Sequence, residues 1–351
     1  MVDTDDDASA GWAAIDAALA RLYPTAKPQH FGTMLKWMLG GPDPLDGISF
    51  YQREDHWHIV SYGMSELYDK QSENAEHSGW GFEFTFRVAR AQDETEPPVW
   101  AANFLQNLAR YVFNSSNAFA PGHHVDLNGP ISLARPDTQI RAITFAEDPE
   151  LGSIDTPHGR LGFLQIVGIT LDEYAVIEQW DTTPLLAPLA PDLPLLVTDL
   201  GRRSLIGNPR VADAIAEGIR RDGSATGSLY VEHVGWRIED PDHGSVELTF
   251  GASVVERIGR VLAGRLPHGR GLSIDGSERG IRFRSGERLT VTENGDGYLY
   301  IELPAEVLSE LVDVLRPTAG TYCLSSAPNL TVQVVRSQIR DGKGNVVQEI
   351  G

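Results

Sequence analysis

Between Trp80 and Val88 the chain alternates. Trp80, Phe82, Phe84, Phe86 and Val88 fall on one side, and Glu83, Thr85 and Arg87 on the other. A period of two is that of an extended strand. GWGFEFTFRV therefore predicts a half-buried strand, with an aromatic core face and a polar outer face. ISFYQRE and HWHIVSYG precede it as further strands. In HWHIVSYG, Trp57 and Ile59 face one side and His58, Val60 and Tyr62 the other, and both sides are able to pack.

Helical spacing appears elsewhere. Trp12, Ile15, Leu19 and Leu22 recur in GWAAIDAALARLY. Trp100, Phe104, Leu108, Tyr111 and Val112 recur after Pro97 and Pro98, residues tolerated at a helix start; a long helix packed on the sheet is expected. HFGTMLKWMLGG predicts a second short helix carrying Met34, Leu35, Met38 and Leu39, stopped by Gly40 and Gly41. PDPLDG is an ordered turn. IRAITFAED and LGFLQIVGIT predict strands, LDEYAVIEQW a helix, LPLLVTDLG a buried strand and NPRVADAIAEGIRRDGS another helix.

After DGSATGS the texture changes to strands, namely SLYVEHVGWRIED, SVELTFG, GIRFRSGE, RLTVTENGDGYLYIEL and NLTVQVVRSQIRDGKGNVVQEI. One helix, PAEVLSELVDVLRP, lies among them, and ENGDGY and RDGKGN are turns. Strands and helices without strict βαβ alternation predict an α+β fold. We expect two domains, 11–238 built on a mixed sheet with flanking helices and a smaller α+β domain over 245–351. Residues 1–10 read as a disordered acidic lead-in.

Composition narrows the function. Of 351 residues, 41% are hydrophobic, enough for a packed core. No apolar run approaches the ~20 residues that span a bilayer, and the acidic start lacks the order of a secretory signal, so a cytoplasmic protein is expected. The formal charge is −20. Residues 1–236 carry 16 basic and 33 acidic side chains, a net of −17. Such a surface repels nucleic acid and anionic lipid and attracts a basic protein. The basic pairs Arg202–Arg203 and Arg220–Arg221 are isolated.

The candidate chemistry is sparse. His56 and His58 alternate along one strand, roughly 7 Å apart, a spacing able to serve a metal. HExxH and paired-Cys motifs are absent, and hydrogen-bonding sheet histidines are the simpler reading. Asp43, Asp46, Glu147 and Asp148 sit in GPDPLDG and AEDPE, stretches with Pro or Gly where short acids cap turn amides. Cys323, the single cysteine, reads as a buried structural thiol. No nucleophile elbow, phosphate loop or dinucleotide fingerprint is present. We expect neither cofactor nor metal, and a protein that binds rather than catalyses. The enzyme alternative is a metal-dependent hydrolase using His56 and His58.

Several stretches together resemble the Suppressor of fused (SUFU) family: KWMLGGPDPLDGISFY at 36–51, HWHIVSYGMSELY at 56–68, GWGFEFTFRV at 79–88, PPVWAANFLQNLARYVFNSSNAFAPGHHV at 97–125 and FAEDPELGSIDTPHGRLGFLQIVGIT at 145–170. The likeness continues through LLVTDL to about residue 224, then faintly at 262–274 and 297–311. The resemblance implies a two-domain, non-enzymatic binding protein. In animal members the domains clamp an extended peptide of a transcription factor, paired as a strand. Carried over to this sequence, the partner-binding positions are Tyr111, Gly122, His123, His124 and Val125, with Leu266 and His268 of a GRLPHGR strand. Two departures stand out. His123 replaces the aspartate of the animal GDHV motif, so that charge pairing is lost. The long insertion of the animal C-terminal domain has no counterpart here. For bacterial relatives the resemblance implies an immunity protein that binds a cognate toxin, and −17 suits a basic one. A general regulatory scaffold is the remaining alternative.

Overall fold

A computed structural model gives the fold and describes residues 9–240, 245–340 and 344–351. It is α+β. By contact, the chain divides into two compact units, one of residues 1–174 and 186–211 and the other of residues 175–185 and 212–351.

The first unit is built on a mixed eight-stranded sheet. Its helices and strands run α1 (Ala10–Leu22), β1 (Gln29–Gly32), β2 (Gly47–Gln52), β3 (His56–Tyr62), β4 (His77–Ala89), α2 (Val99–Ser115), β5 (His124–Asp126), β6 (Ile140–Glu147), β7 (Ser153–Thr156) and β8 (Gly159–Thr170). The sheet order is β1-β2-β3-β4-β8-β6-β5, with β7 pairing on β8. The β4–β8 pair is parallel and the others antiparallel.

Both faces of this sheet are covered. On one, Phe82, Phe84, Phe86 and Val88 pack with Ala101, Leu105, Leu108, Ala109 and Val112 of α2. Trp57, fully buried there, illustrates the driving force: burying a large apolar side chain contributes roughly 1.5–3 kcal/mol. On the other face, Ile15, Ala18 and Leu19 of α1 pack with Tyr51, Val60, Tyr62, Leu151 and Phe163. This second layer corrects the half-buried reading of β4. Glu83, Thr85 and Arg87 are each 0% exposed. Alternation assigned them correctly to one face, but the cover on that face comes from α1 and residues 148–163, far away in sequence.

Two other elements differ from expectation. The helix expected over 30–41 is instead strand β1, registered Gln29↔Phe50 to Gly32↔Gly47, followed by a short 3-10 turn, Trp37–Leu39. Met34, Leu35 and Leu39 are exposed, so a helix there would have had no core to face. The strand expected over 193–201 is a 3-10 turn, Pro194–Leu196, with Leu195 and Leu196 in left-handed backbone at φ 53° and 55°. Its contact with the sheet is an isolated bridge between Val88 and Thr198. Gln165 in the buried polar layer donates to the carbonyls of Leu195 and Leu196, which holds the turn in place of a ladder.

The chain enters the second unit within α3 (Leu171–Gln179), returns within α4 (Thr182–Leu189) and crosses again within α5 (Pro209–Asp222). The second unit continues through β9 (Ser228–Tyr230), β10 (Val234–Asp240), β11 (Ser245–Gly251), α6 (Val255–Arg265), β12 (Leu272–Asp275), β13 (Gly280–Ser285), β14 (Thr290–Glu293), β15 (Tyr298–Leu303), α7 (Ala305–Val314), β16 (Gly320–Cys323), β17 (Leu330–Val335), β18 (Ser337–Arg340) and β19 (Val346–Ile350). Its sheets run β10-β11-β17-β16 and β14-β15-β13-β12-β9, with β18 and β19 as an antiparallel pair. Val255, Ile258, Val261 and Leu262 of α6 and Val307 and Leu311 of α7 join the sheet residues in one core.

Residues 241–244 of the boundary expected at 239–244 lie outside the described residues, as do residues 1–8 of the acidic lead-in and 341–343 of the RDGKGN turn. β10 pairs with β11 across that boundary, so by contact residues 212–238 belong with the second unit. α6 was not foreseen. The GRLPHGR strand is the end of α6 and a 3-10 turn, Leu266–His268, where Pro267 withholds a ladder donor. Cys323 is exposed on β16, the last strand of its sheet, and not buried.

Candidate functional site

The polar face of β4 holds the chemistry-bearing side chains, and it is sealed. Asp148 accepts from Arg87 Nη1 at 2.6 Å and Nη2 at 3.0 Å, and from Thr85 Oγ1 at 2.7 Å. It also accepts from the backbone N–H groups of Glu150 and Leu151, both at 2.9 Å. The turn-capping role expected of Asp148 is therefore one of two it performs. Arg87 Nη2 reaches Glu150 at 2.9 Å, and Arg53 pairs with the same carboxylate at 3.2 Å. Burial alone would raise the Asp148 pKa. Contacts with His58 and Arg87 outweigh it and hold the carboxyl far below its usual range.

His56 and His58 lie in this layer. His58 Nδ1 is 2.7 Å from the Tyr23 hydroxyl, and its Nε2 is 3.3 Å from Asp148 Oδ2, a contact poorly aligned for a hydrogen bond. His56 Nδ1 meets Asp55 at 2.6 Å. Among the described residues no group of three or more His, Cys, Asp or Glu side chains is arranged to hold a metal ion.

Burial lowers the His58 pKa to about 4. The unfolded imidazole takes up a proton near 6.5, so the unfolded state binds more protons between those values. Stability is then lost as pH falls from about 6.5 to about 4, by up to about 3 kcal/mol from this one group. Urea titrations at pH 7 and pH 4.5 on the parent and on His58→Gln check this. The parent should lose more stability than the variant over that interval, and equal losses would refute it.

Glu83 anchors a second buried cluster. It accepts from Ser61 Oγ and Ser65 Oγ, both at 2.6 Å, and from the N–H groups of Gly63 at 2.9 Å, Met64 at 3.3 Å and Ser65 at 2.9 Å. Burial raises its pKa against the pull of those donors. Gly63 has φ 134°, and a Cβ there would come within 2.9 Å of Asp46 N, so glycine is required where the loop crosses residues 44–46.

The partner-binding positions carried over from the resemblance lie apart from this chemistry. β5 ends the eight-stranded sheet. Its register is His124↔Thr144, Val125↔Ile143 and Asp126↔Ala142. Phe145 N donates to His123 O at 2.9 Å and Leu127 N to Arg141 O at 3.0 Å. In an antiparallel pair these bonds fall on alternate residues, so the backbone groups of His124 and Asp126 turn to the outer edge. Gly122, at φ 93°, starts the strand by donating to Phe145 O at 2.8 Å. His123 is exposed; the His124 ring meets Tyr174 edge-on at 5.3 Å; Val125 packs on the core.

Tyr111 lies on α2 and is linked by ring contacts to β6, the strand next to β5. Its ring stacks on Phe119 at 5.4 Å, and Phe119 stacks on Phe145 at 4.4 Å, forming a ladder from a 49% exposed ring to a fully buried one. The structure thus gathers Tyr111 and residues 122–125 at one sheet edge of the first unit. Leu266 and His268 belong to the second unit, where Leu266 is a buried core residue and His268 is half-buried. Asp43 and Asp46 form ion pairs, Asp43 with Arg110 and Asp46 with Lys36 at 3.5 Å. Arg202 lies against Glu173 at 2.7 Å. No helix among the described residues is long and apolar enough to cross a membrane.

The sequence model of the family described as Suppressor of fused protein (SUFU) matches residues 41–203, which carry the strand β5 and Tyr111. The Suppressor of fused homologs of Homo sapiens and Mus musculus are each 37% identical over 238 residues, 61% of this chain and 48% of theirs. The chain thus spans about half the length of these curated relatives. The crystal structure of Drosophila Suppressor of Fused superposes with a TM-score of 0.77 at 22% identity, covering 93% of this chain and 97% of that one, a likeness of fold. A chain of the Sufu–Fu complex crystal structure matches at 32% identity with a TM-score of 0.55, covering 59% of this chain and 97% of its own length. Sequence and fold thus point the same way: the chain belongs to the Suppressor of fused family.

Proposed function

We propose that this chain works by binding rather than by catalysis, and that it takes an extended segment of a partner protein on the outer edge of β5. The observation that carries the reading is that edge: a terminal strand whose Asp126 backbone turns outward, next to a strand, β6, reached from the exposed Tyr111 ring through Phe119. Main-chain hydrogen bonds would supply affinity, and neighbouring side chains specificity. The similar chain of known structure comes from a complex of Sufu with Fu, which supports a protein ligand for this one. The net charge of −17 over residues 1–236 favours a basic partner by speeding encounter. In its most concrete form, the protein is a cytoplasmic immunity protein that neutralises a cognate basic toxin.

The test uses Asp126. Asp126→Pro removes an outer-edge N–H while leaving the β6 ladder in place. Asp126→Ala removes the side chain that caps Asn128 N at 2.8 Å but keeps the N–H. Capture from the source cells, followed by mass spectrometry, identifies the partner, and co-expression with a toxin encoded next door tests neutralisation. The expected result is one tight partner, lost at least tenfold in Asp126→Pro and retained in Asp126→Ala, with both variants folded. Many loose partners indifferent to Asp126→Pro would replace the reading with a general scaffold.

A further inference from the structure

A second feature of the first unit lies away from the β5 edge. A cavity of about 490 Å³ is lined by Trp37, Asp46, Glu66, Tyr68, Trp80 and Phe113, among others. Phe113 meets Trp37 edge-on at 5.5 Å and Trp80 at 5.6 Å, so three aromatic rings brace one another in its wall. None of the described lining side chains is basic. Glu66 is ionised. Burial would raise its pKa, but the Lys70 ammonium at 2.9 Å and the N–H groups of Ser72, Gln71 and Gly79 bring it to about 2.

The chain supplies its own indication of what these walls attract. The Lys36 ammonium donates to the Tyr68 hydroxyl at 2.5 Å, lies 3.9 Å from the centre of that ring and sits 3.5 Å from Asp46 Oδ2. A cationic N–H donor held between a phenol oxygen and a carboxylate, against an aromatic ring, is an arrangement that recognises lysine and arginine side chains. The same loop carries Met34 at 103% exposure, with Leu35 and Leu39 also exposed. Exposed apolar side chains on the segment that carries Lys36 suit a polypeptide ligand better than a free ion.

We propose that this cavity takes a lysine or arginine side chain presented by a protein partner, and that Lys36 is an internal competitor for it. The proposal rests on the reading of this chain as a binder of basic protein, and it names a second point of contact separate from β5. On arrival, the partner's cation displaces the Lys36 ammonium from Tyr68 and Asp46.

The test is a tryptophan-fluorescence and calorimetric titration of the full chain with the peptides GGRGG and GGKGG, a GG-citrulline-GG control and free choline. Citrulline keeps the planar shape of arginine without its charge. The expected result is saturable binding of the arginine and lysine peptides, at least tenfold weaker with citrulline. Asp46→Asn and Trp80→Leu should each weaken it at least tenfold, with folding checked by circular dichroism. Lys36→Met should tighten it threefold or more. Asp126→Pro should leave it unchanged, which separates failure here from failure of edge pairing. Equal binding of citrulline, weaker binding in Lys36→Met, or choline binding without peptide binding would each overturn the proposal.

Discussion

Arg87→Met is expected to lower the unfolding free energy by about 3–5 kcal/mol in urea titration at pH 7. The guanidinium is fully buried and bonds Asp148, Glu150 and Gln165 at once. Methionine matches much of its volume, so the loss is electrostatic rather than a cavity. The Asp148 carboxylate stays behind with 0% side-chain exposure and loses its main counter-charge. Breaking a buried pair costs more than never having had one, because the surviving ion must bear its desolvation unaided. Adding Asp148→Asn, which keeps an oxygen for the N–H groups of Glu150 and Leu151, should recover part of the loss. A decrease under about 1 kcal/mol for Arg87→Met alone would show that the layer admits water.

Glu83→Leu is the second large effect, at about 5 kcal/mol or more. Five donors converge on this carboxylate, three of them consecutive backbone N–H groups. Leucine leaves all five without an acceptor, each costing roughly 1–3 kcal/mol where water cannot reach. Glu83→Gln should not rescue fully, since its amide NH₂ would face donors. The effect is also local. Gly63, Met64 and Ser65 form part of the wall of the Trp37–Trp80 cavity, so binding of the arginine peptide should weaken along with stability. Denaturation combined with peptide titration checks both. Unchanged amide-exchange protection at Gly63, Met64 and Ser65 in Glu83→Leu would count against the anchoring role.

How much of this was legible follows from the range of the interactions. The alternation from Trp80 to Val88, the spacing that makes α2 and the strands β2 and β3 are encoded within ten or fifteen neighbouring residues. The family motifs at 36–68 and 97–125 are legible for the same reason, and from them come the proposed edge positions Tyr111 and Gly122–Val125. α6 was also available, since Val255, Ile258, Val261 and Leu262 recur at helical spacing, but the GRLPHGR stretch at its end reads as a strand. The segment 29–41 misled in the opposite direction. Its apolar residues are spaced for a helix, yet nothing packs on Met34, and the open edge of β2 recruits residues 29–32 as a strand.

The sequence by itself determined the α+β class, the pairing of periods along the sheet, the acidic character of the first 236 residues and the family. Only the tertiary structure decided that Glu83, Thr85 and Arg87 face a second buried layer, that β5 is the sheet's last strand, and that Trp37, Tyr68, Trp80 and Phe113 meet around one cavity. The reason is physical. Periodicity records which side of an element a residue is on, through the fixed geometry of the local backbone. What stands on that side is set by segments tens of residues away: α1 and Asp148 opposite β4, and the loop at 36–46 opposite α2.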